Sequence, residues 1–247
     1  MTGNSEYEGE RIAKIIARAG ICSRRDAERL VTDGRVTVNG KTIETPAINL
    51  EPDDIVAVDG ERIPARGRPR LWRYHKPAGL VTTHKDERGR PTVFESLPTD
   101  LPRVMGIGRL DLKSEGLLLL TNHGDLARTL ELPSTGWVRR YRVRVHGHAE
   151  PKALDALAHG ITVNRVRYGS ILITVDRKQT TNTWLTVSLK EGKNREIRRI
   201  MEHLNLQVSR LIRISFGPFQ LGNLPAGDIA EVPQKVLKEQ VGNTLPV

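Results

Sequence analysis

Four consecutive leucines at residues 117–120 follow a polar stretch that contains glycine, and this junction constrains the fold most strongly. An apolar run without polar interruption predicts a deeply buried strand. The preceding residues 108–116 (GRLDLKSEG) predict a loop held at the start of that strand. Loops supported by rigid strands are where catalytic groups tend to lie, so this loop is the first candidate for a site.

The chain after residue 70 shows mostly strand patterns. Apolar and β-branched residues predict strands at 71–75, 104–107, 117–121, 138–145, 170–175, 184–189 and 208–214. Two helices are predicted, a short one at 124–131 and an amphipathic one at 194–204. These elements predict a mainly antiparallel sheet with flanking helices.

The first sixty residues predict a separate small α-α-β domain. Apolar spacing indicates a helix at 10–19 closed by Gly20, and Ser23 is a good N-cap for a second helix that ends at Gly34. The dipeptide Asn39-Gly40 between two short strands predicts a tight hairpin, and a further strand follows at 55–58. Residues 61–70 (ERIPARGRPR) predict a linker. We therefore expect an α+β protein with a small domain at 10–60 and a larger one at 71–247.

The charge of the chain indicates a polyanionic partner. The formal net charge is +10 and the sequence pI is about 10.0. Residues 1–70 hold 12 basic and 12 acidic side chains, whereas residues 71–247 hold 27 and 17. Within the small domain, residues 11–41 hold 8 basic and 3 acidic side chains. Such a basic segment is typical of a module that docks on a phosphate backbone, although a solvated, charge-balanced surface is an equal alternative.

Several classes of protein are not expected. No run of 18 apolar residues indicates a transmembrane helix, and residues 1–10 lack the apolar core of a signal peptide. The single cysteine, Cys22, excludes an internal disulfide. His146 and His148 have no third ligand at metal-binding spacing, so we predict no metal site. We expect a cytoplasmic protein without a membrane partner.

Asp111 is the leading catalytic candidate. Its neighbours Arg109 and Lys113 favour the ionised form of a partly buried carboxyl group, and an ionised carboxylate can act as a nucleophile or a base. The plainer interpretation is a loop aspartate that caps a turn. Glu115 is the second choice.

The predicted helix at 194–204 begins after a glycine turn and offers an anion site. Free backbone N–H groups, the positive end of the helix dipole and the cations Arg195, Arg198 and Arg199 lie together there. The alternative is a charged surface helix, partly neutralised by Glu196 and Glu202.

A basic strand at 139–145 contains one tyrosine. Strand alternation places Tyr141 on one face and Arg140 and Arg142 on the other. The tyrosine ring could stack on an unpaired base while the arginines hold phosphates, or it could simply belong to the core.

Three segments together resemble a known family. GRLDLKSEGLLLLTN, with KPAGLVTT upstream and EGKNREIRRIM downstream, is similar to the RsuA/RluB family of ribosomal RNA pseudouridine synthases. Residues 11–40 (RIAKIIARAGICSRRDAERLVTDGRVTVNG) resemble the small alpha-L RNA-binding domain that precedes the catalytic domain in that family. The sequence departs from the family pattern at His123, where aspartate is usual, and at Arg139, where lysine is usual.

The resemblance implies a function for named residues. Asp111 would be the catalytic aspartate, Tyr141 would stack on the target base, Lys193 would pair with the aspartate, and Ile197 would line the pocket. Arg109 belongs to the same GRLD motif as Asp111. The resemblance further implies RNA contacts by basic side chains and no cofactor. We assign those contacts to Arg24, Arg25, Arg29, Arg140, Arg142, Arg195, Arg198 and Arg199.

The residues of these motifs resemble most the branch of the family that acts on large-subunit (23S) ribosomal RNA. Large-subunit ribosomal RNA is therefore the expected substrate. The expected partner is ribosomal RNA or a ribosome assembly intermediate, met by a monomer. Three alternatives stay open. They are the same chemistry on small-subunit (16S) RNA, a non-catalytic RNA-binding or assembly factor, and a DNA-binding regulator built on the first two helices. An N-glycosidase that stops after bond cleavage is a further variant.

Overall fold

A computed structural model describes residues 9–65, 67–178 and 181–242. The chain divides into two compact units, Met1–Pro69 and Arg70–Val247. None of the helices in these described segments is long and apolar enough to cross a bilayer.

The first unit consists of two helices and six short strands. The helices are α1 (Ile12–Arg18) and α2 (Arg24–Thr32). The strands are β1 (Glu10–Arg11), β2 (Val36–Val38), β3 (Lys41–Ile43), β4 (Asn49–Leu50), β5 (Val56–Val58) and β6 (Glu61–Arg62). An antiparallel sheet has the order β3-β2-β5-β6, and β1 pairs with β4.

Local sequence explains these elements. The Ser23 hydroxyl accepts a hydrogen bond from the Asp26 backbone N–H (3.1 Å), as an N-cap should, and α2 starts at the next residue. Asn39 and Gly40 both have positive φ (51° and 79°), the geometry of the tight hairpin turn that the sequence predicts. The two predicted helices and the hairpin are confirmed. Part of the stretch expected as linker differs, because Glu61–Arg62 pairs with β5 and so belongs to the sheet.

The second unit is built on one large sheet. The strands of this unit are β7 (Leu71–Lys76), β8 (Met105–Ile107), β9 (Glu115–Thr121), β10 (Arg139–His146), β11 (Ile161–Val163), β12 (Val166–Tyr168), β13 (Ile171–Lys178), β14 (Asn182–Leu189), β15 (Gln207–Phe216), β16 (Phe219–Gln220) and β17 (Ile229–Glu231). Strands β11 and β12 pair with each other in a separate two-stranded sheet. The helices of the unit are α3 (Gly124–Glu131), α4 (Pro151–Ala156), α5 (Glu196–His203) and α6 (Gln234–Val241).

The main sheet has the order β13-β14-β10-β15-β9-β7-β17, with β8 beside β9 and β16 beside β15. All its pairings are antiparallel except the one between β9 and β15, so the α+β prediction with a mainly antiparallel sheet is confirmed. The four leucines of β9 are fully buried. Leu118 and Leu120 join the core that contains Tyr141, whereas Leu117 and Leu119 pack in a second core with α3 and α6. The strand is therefore covered on both faces.

Two helices of this unit are not predicted from the sequence. Helix α4 has only six residues, and α6 buries only Leu237 and Val241. With so few apolar positions, neither segment shows a clear helical period.

Candidate active site

A cleft of about 1180 Å³ opens in the second unit. Its walls come from the segments 81–90, 108–114, 189–197 and 211–216, together with two residues of β10. Six of the residues proposed from the sequence line it, namely Arg109, Asp111, Tyr141, Lys193, Arg195 and Ile197. Segments far apart in sequence therefore meet around Asp111.

Asp111 lies in the turn between β8 and β9, and hydrogen bonds hold the backbone of this turn from Leu110 to Ser114. The hydroxyl of Thr82 accepts a hydrogen bond from the N–H of Leu110 (3.3 Å). The five successive carbonyl groups of residues 110–114 all accept hydrogen bonds. The Leu110 carbonyl accepts from Thr82 Oγ1 (2.9 Å), the Asp111 carbonyl from Ser114 N (3.0 Å) and the Leu112 carbonyl from Gly79 N (2.8 Å). The Lys113 carbonyl accepts from Arg198 Nη2 (2.9 Å) and the Ser114 carbonyl from Lys76 Nζ (2.9 Å). Such a turn holds its carboxylate in one position before substrate arrives.

Lys76 is the buried support of this turn. Its side chain is completely shielded from solvent, and its ammonium group also donates to the Pro77 carbonyl (2.9 Å). Burial lowers the pKa of Lys76 to about 8, although attraction to Asp111 and Glu115 opposes the shift. The sequence of residues 74–83 indicates a strand broken by a Pro/Gly turn and favours a simple turn over the wall of a cleft, so this cation was missed. A lysine directly before a Pro/Gly turn is the available signal.

The Asp111 carboxylate faces the cleft and has one ion-pair partner among the described residues. Its Oδ2 lies 3.9 Å from Nη1 of Arg195, and about a third (34%) of the aspartate side chain is exposed. The guanidinium of Arg198 is half-buried beneath the same turn. Burial and the charge of Arg195 lower its pKa, and the charge of Asp111 opposes the shift. The Asp111 carboxylate therefore lies beside a guanidinium group and is still open to substrate.

Glu115, the second carboxylate candidate, is already engaged. Both of its carboxylate oxygens accept hydrogen bonds from Arg210, at 3.0 and 2.8 Å. The hydrogen bonding of Arg210 holds the pKa of Glu115 below its usual value. Because Glu115 is tied to this partner and is absent from the cleft lining, the geometry favours Asp111.

Tyr141 lies in the middle of β10 and is 8% exposed. It pairs with Val187 of β14 on one side and with Arg213 of β15 on the other. The alternation predicted for this strand is confirmed, because Tyr141 is buried at the cleft whereas Arg140 and Arg142 are exposed on the opposite face. An aromatic ring held by two neighbouring strands can serve as a rigid platform.

The segment before α5 contradicts one expectation. The ammonium of Lys193 does not face Asp111 but binds Glu191 Oε2 (2.5 Å) and the Arg167 carbonyl (2.7 Å). The ion-pair partner of Asp111 is Arg195, whose left-handed backbone (φ 52°, ψ 30°) precedes the helix. Lys193 forms an ion pair with Glu191, two positions away, so its charge is already engaged there. Ile197, in the first turn of α5, is 5% exposed and lines the cleft as expected.

The remaining arginines proposed for RNA binding lie in several environments. Arg109 is exposed on the cleft wall. Arg199 is exposed and donates to Asn194 Oδ1 (3.1 Å), and Arg142 stacks over Trp184 at 4.9 Å. Arg198 departs from the expectation of a free phosphate ligand, because its guanidinium binds backbone carbonyls. In the first unit, Arg24, Arg25 and Arg29 are exposed on α2, and Arg29 forms an ion pair with Asp26.

The described segments contain no group of three His, Cys, Asp or Glu side chains placed to hold a metal ion. The candidate groups in the cleft include the Asp111 carboxylate, the Tyr141 ring and the guanidinium groups of Arg109 and Arg195. This set can polarise and hold an anionic nucleotide substrate.

Two family profiles match the chain. The RNA pseudouridylate synthase family matches residues 70–203, and the S4 domain matches residues 10–56. A solved structure described as a pseudouridylate synthase superposes with a TM-score of 0.66 at 22% identity, covering 94% of this chain and all of the other. At that identity the superposition supports the fold alone.

Curated relatives cover almost the same span. An uncharacterized RNA pseudouridine synthase of Rickettsia bellii (strain RML369-C) is 52% identical over 229 residues, which is 93% of this chain and 99% of the relative. The ribosomal large subunit pseudouridine synthase B of Escherichia coli O6:H1 is 38% identical over 230 residues, 90% of this chain and 79% of the relative. The chain therefore belongs to the RsuA/RluB family of RNA pseudouridine synthases, which are isomerases, with an S4 domain before the catalytic domain.

Proposed function

We propose that the enzyme converts one specific uridine of large-subunit (23S) ribosomal RNA to pseudouridine, and that Asp111 acts on a nucleotide flipped out of its helix. The observation that carries the proposal is the Asp111 turn, which is held by hydrogen bonds at five successive carbonyls and lines the same cleft as Tyr141. The large-subunit assignment rests on relatives that carry that substrate in their names.

The reaction itself explains the groups in the cleft. Pseudouridine formation breaks the bond between C1′ of the ribose and N1 of uracil, turns the base, and joins C5 to C1′. The C5 proton is lost and N1 takes up a proton, so the product is an isomer of the substrate. A carboxylate close to the sugar is needed whether it attacks C1′ or removes the 2′ proton, and in both cases it must be ionised.

Base flipping accounts for the remaining features. The reacting atoms of a uridine stacked in a helix are out of reach, so the nucleotide must leave the stack and enter the cleft. In this proposal Tyr141 supports the flipped uracil by stacking, while Arg109 and Arg195 bind phosphates at the mouth of the cleft. The exposed arginines of α2 in the S4 domain bind the phosphate backbone elsewhere on the same RNA. All these groups come from one chain, so we infer a monomer. Its proposed partner is ribosomal RNA or a ribosome assembly intermediate, and the proposed location is therefore the cytoplasm.

Mapping pseudouridines tests the substrate and the chemistry together. Ribosomal RNA from cells that lack this protein is treated with carbodiimide and compared with RNA from cells complemented with the wild-type protein or with Asp111→Asn. We expect one 23S position to lose its signal and only the wild-type gene to restore it. Loss of a 16S position instead would overturn the substrate assignment, and an unchanged pattern would overturn the function.

A further inference from the structure

Arg213 is a buried cation with an unused donor. It lies in β15 and is 3% exposed. Its Nε donates to the Leu117 carbonyl (2.7 Å), and its guanidinium carbon is 5.2 Å from the ring centre of Phe216. Its Nη2 has no hydrogen-bond partner, and no carboxylate in the described segments forms an ion pair with it. A permanently charged group in this state is costly, and such groups need an explanation.

Arg213 lines the cleft, and its Nη2 is shielded from solvent. Four buried side-chain atoms of the described residues lack a hydrogen-bond partner, and only those of Arg213 and Glu196 belong to residues that line the cleft. Glu196 already accepts a hydrogen bond from the Lys193 N–H through its other oxygen (2.9 Å). Arg213 is the direct cross-strand neighbour of Tyr141, so the two side chains share a face of the sheet. The Arg213 side chain and the ring proposed to hold the base therefore lie on the same face of adjacent strands.

A second arginine of the cleft provides a contrast. Arg139 also stacks on Phe216, at 4.5 Å, and burial lowers its pKa. Its Nη1, however, donates to the carbonyls of Lys190 (2.6 Å) and Trp137 (3.3 Å). Arg139 is thus tied to the backbone, whereas Arg213 keeps a donor for a substrate acceptor.

The chemistry of the proposed reaction supplies that acceptor. When the bond between C1′ and N1 breaks, its electron pair leaves with the base, and the negative charge spreads over N1, O2 and O4 of uracil. This holds whether the carboxylate attacks C1′ or removes the 2′ proton. A preorganised donor aimed at developing negative charge in a water-poor site is an effective source of rate enhancement.

We propose that Arg213 is a catalytic residue whose guanidinium group binds a carbonyl oxygen of the target uracil and stabilises the uracil anion after the C1′–N1 bond breaks. The anion then turns, C5 bonds to C1′, the C5 proton is lost and N1 is protonated, so no additional reactant is needed. The inference rests on the proposed function and adds to it the group that balances the charge of the departing base.

Single-turnover kinetics with a target RNA fragment test this role. Arg213→Met should slow pseudouridine formation by roughly 100-fold while RNA affinity stays within about threefold, because the interaction forms chiefly in the transition state. Arg213→Lys keeps the charge without the fork of donors, so its rate should lie between those of wild type and Arg213→Met. This variant also tests the role if the methionine variant does not fold. Arg177→Met, on the edge strand β13 and outside the cleft, is the matched control and should react like wild type.

A change of leaving group separates catalysis from packing. The 5-fluorouracil anion is less basic than the uracil anion, so its departure depends less on a stabilising cation. We expect the defect of both Arg213 variants to shrink at least fivefold when 5-fluorouridine replaces the target uridine and its consumption is followed. An equal defect with both substrates, or a defect confined to RNA affinity, would overturn the role of Arg213. Failure of the wild-type protein to form any pseudouridine would instead overturn the proposed function.

Discussion

Lys76 places a positive charge in the interior directly under the turn that carries Asp111. Its ammonium binds the Pro77 and Ser114 carbonyls and thereby connects the end of β7 to the start of β9. The same charge attracts Asp111 through the protein interior. A single buried side chain thus contributes both to the position of the turn that carries Asp111 and to the electrostatics of that turn.

The titration of Lys76 predicts how stability depends on pH. The unfolded chain keeps this proton up to about pH 10.5, whereas the folded protein releases it near pH 8. Between these values the unfolded state binds more protons, so this group makes stability rise with pH. Relative to Lys76→Met, wild type should gain up to about 3 kcal/mol of unfolding free energy between pH 8 and pH 10.5. Urea unfolding at pH 7.5 and pH 10 measures it, and a pH-independent difference would contradict the assignment.

The stacking role of Tyr141 predicts a graded series. Tyr141→Phe keeps the ring and should retain most activity, whereas Tyr141→Ala should lose roughly 10- to 100-fold, the size of one base-stacking interaction. Tyr141→Leu fills most of the buried volume without a ring and should resemble the alanine variant in activity. Initial rates of pseudouridine formation, with melting temperatures as the folding check, measure the series. Equal losses for Phe and Ala would argue against stacking.

At the scale of single residues, the sequence predicts which groups meet but not all their partners. Asp111, Tyr141 and Ile197 lie around one cleft as expected. The partner of Asp111 depends on the left-handed backbone of Arg195 and on the local pair that Lys193 forms with Glu191, and neither has a clear sequence signal. The buried cations Lys76 and Arg213 were missed because their burial and their hydrogen bonds to the Ser114 and Leu117 carbonyls depend on strands distant in sequence.

Among the elements, the contact between β9 and β15 is the tightest feature of the site. Gly116 has φ +100°, and a Cβ added there would lie 2.3 Å from the Arg213 carbonyl oxygen and 2.7 Å from its nitrogen. Only glycine fits this parallel contact, which places the start of β9 against the strand that carries Arg213.

Gly116→Ala should therefore destabilise the protein by roughly 2–4 kcal/mol, through backbone strain and a clash that the neighbouring strand cannot relieve. Gly124→Ala is the matched control, because its nearest neighbour atom would be the Met105 sulfur at 4.0 Å and its φ is not positive. We expect the control to be neutral or slightly stabilising. Denaturant unfolding compares the two, and a Gly116 variant as stable as wild type would show that the strands can separate.

Elements with a strong pattern were predicted well, and weak ones were not. The β9 leucines, the alternating β10 and the capped α2 correspond to the structure within a few residues at each end. Helix α5 begins two residues later than predicted, because Arg195 leaves the helical conformation. Helices α4 and α6 depend on packing against the rest of the unit rather than on their own apolar period, so the sequence does not predict them.

For the whole molecule, the distribution of charge predicts separate contributions to binding and chemistry. The arginines of α2 are exposed in the first unit, while the cleft lies entirely in the second. Removing charge from α2 should weaken RNA binding without changing the chemical step.

Replacing Arg24 and Arg25 with alanine should lower RNA affinity and reduce the slope of log K against log salt by about 1.5 to 2, with the single-turnover rate at saturating enzyme unchanged. The control replaces Lys41 and Arg62, which lie on the two edge strands of the small sheet and carry the same total charge. Filter binding across a salt series measures both variants. Identical slopes for the two would show a general charge effect rather than a contact by α2.

The most direct measurement is pseudouridine formation by purified Asp111→Asn on the target RNA, under single-turnover conditions with a folding check. The substitution keeps the size and turn of the side chain and removes its charge, so the variant should fold, bind RNA with near wild-type affinity, and form no detectable pseudouridine. Turnover near the wild-type rate would show that another group performs the chemistry and that the assignment of Asp111 is wrong.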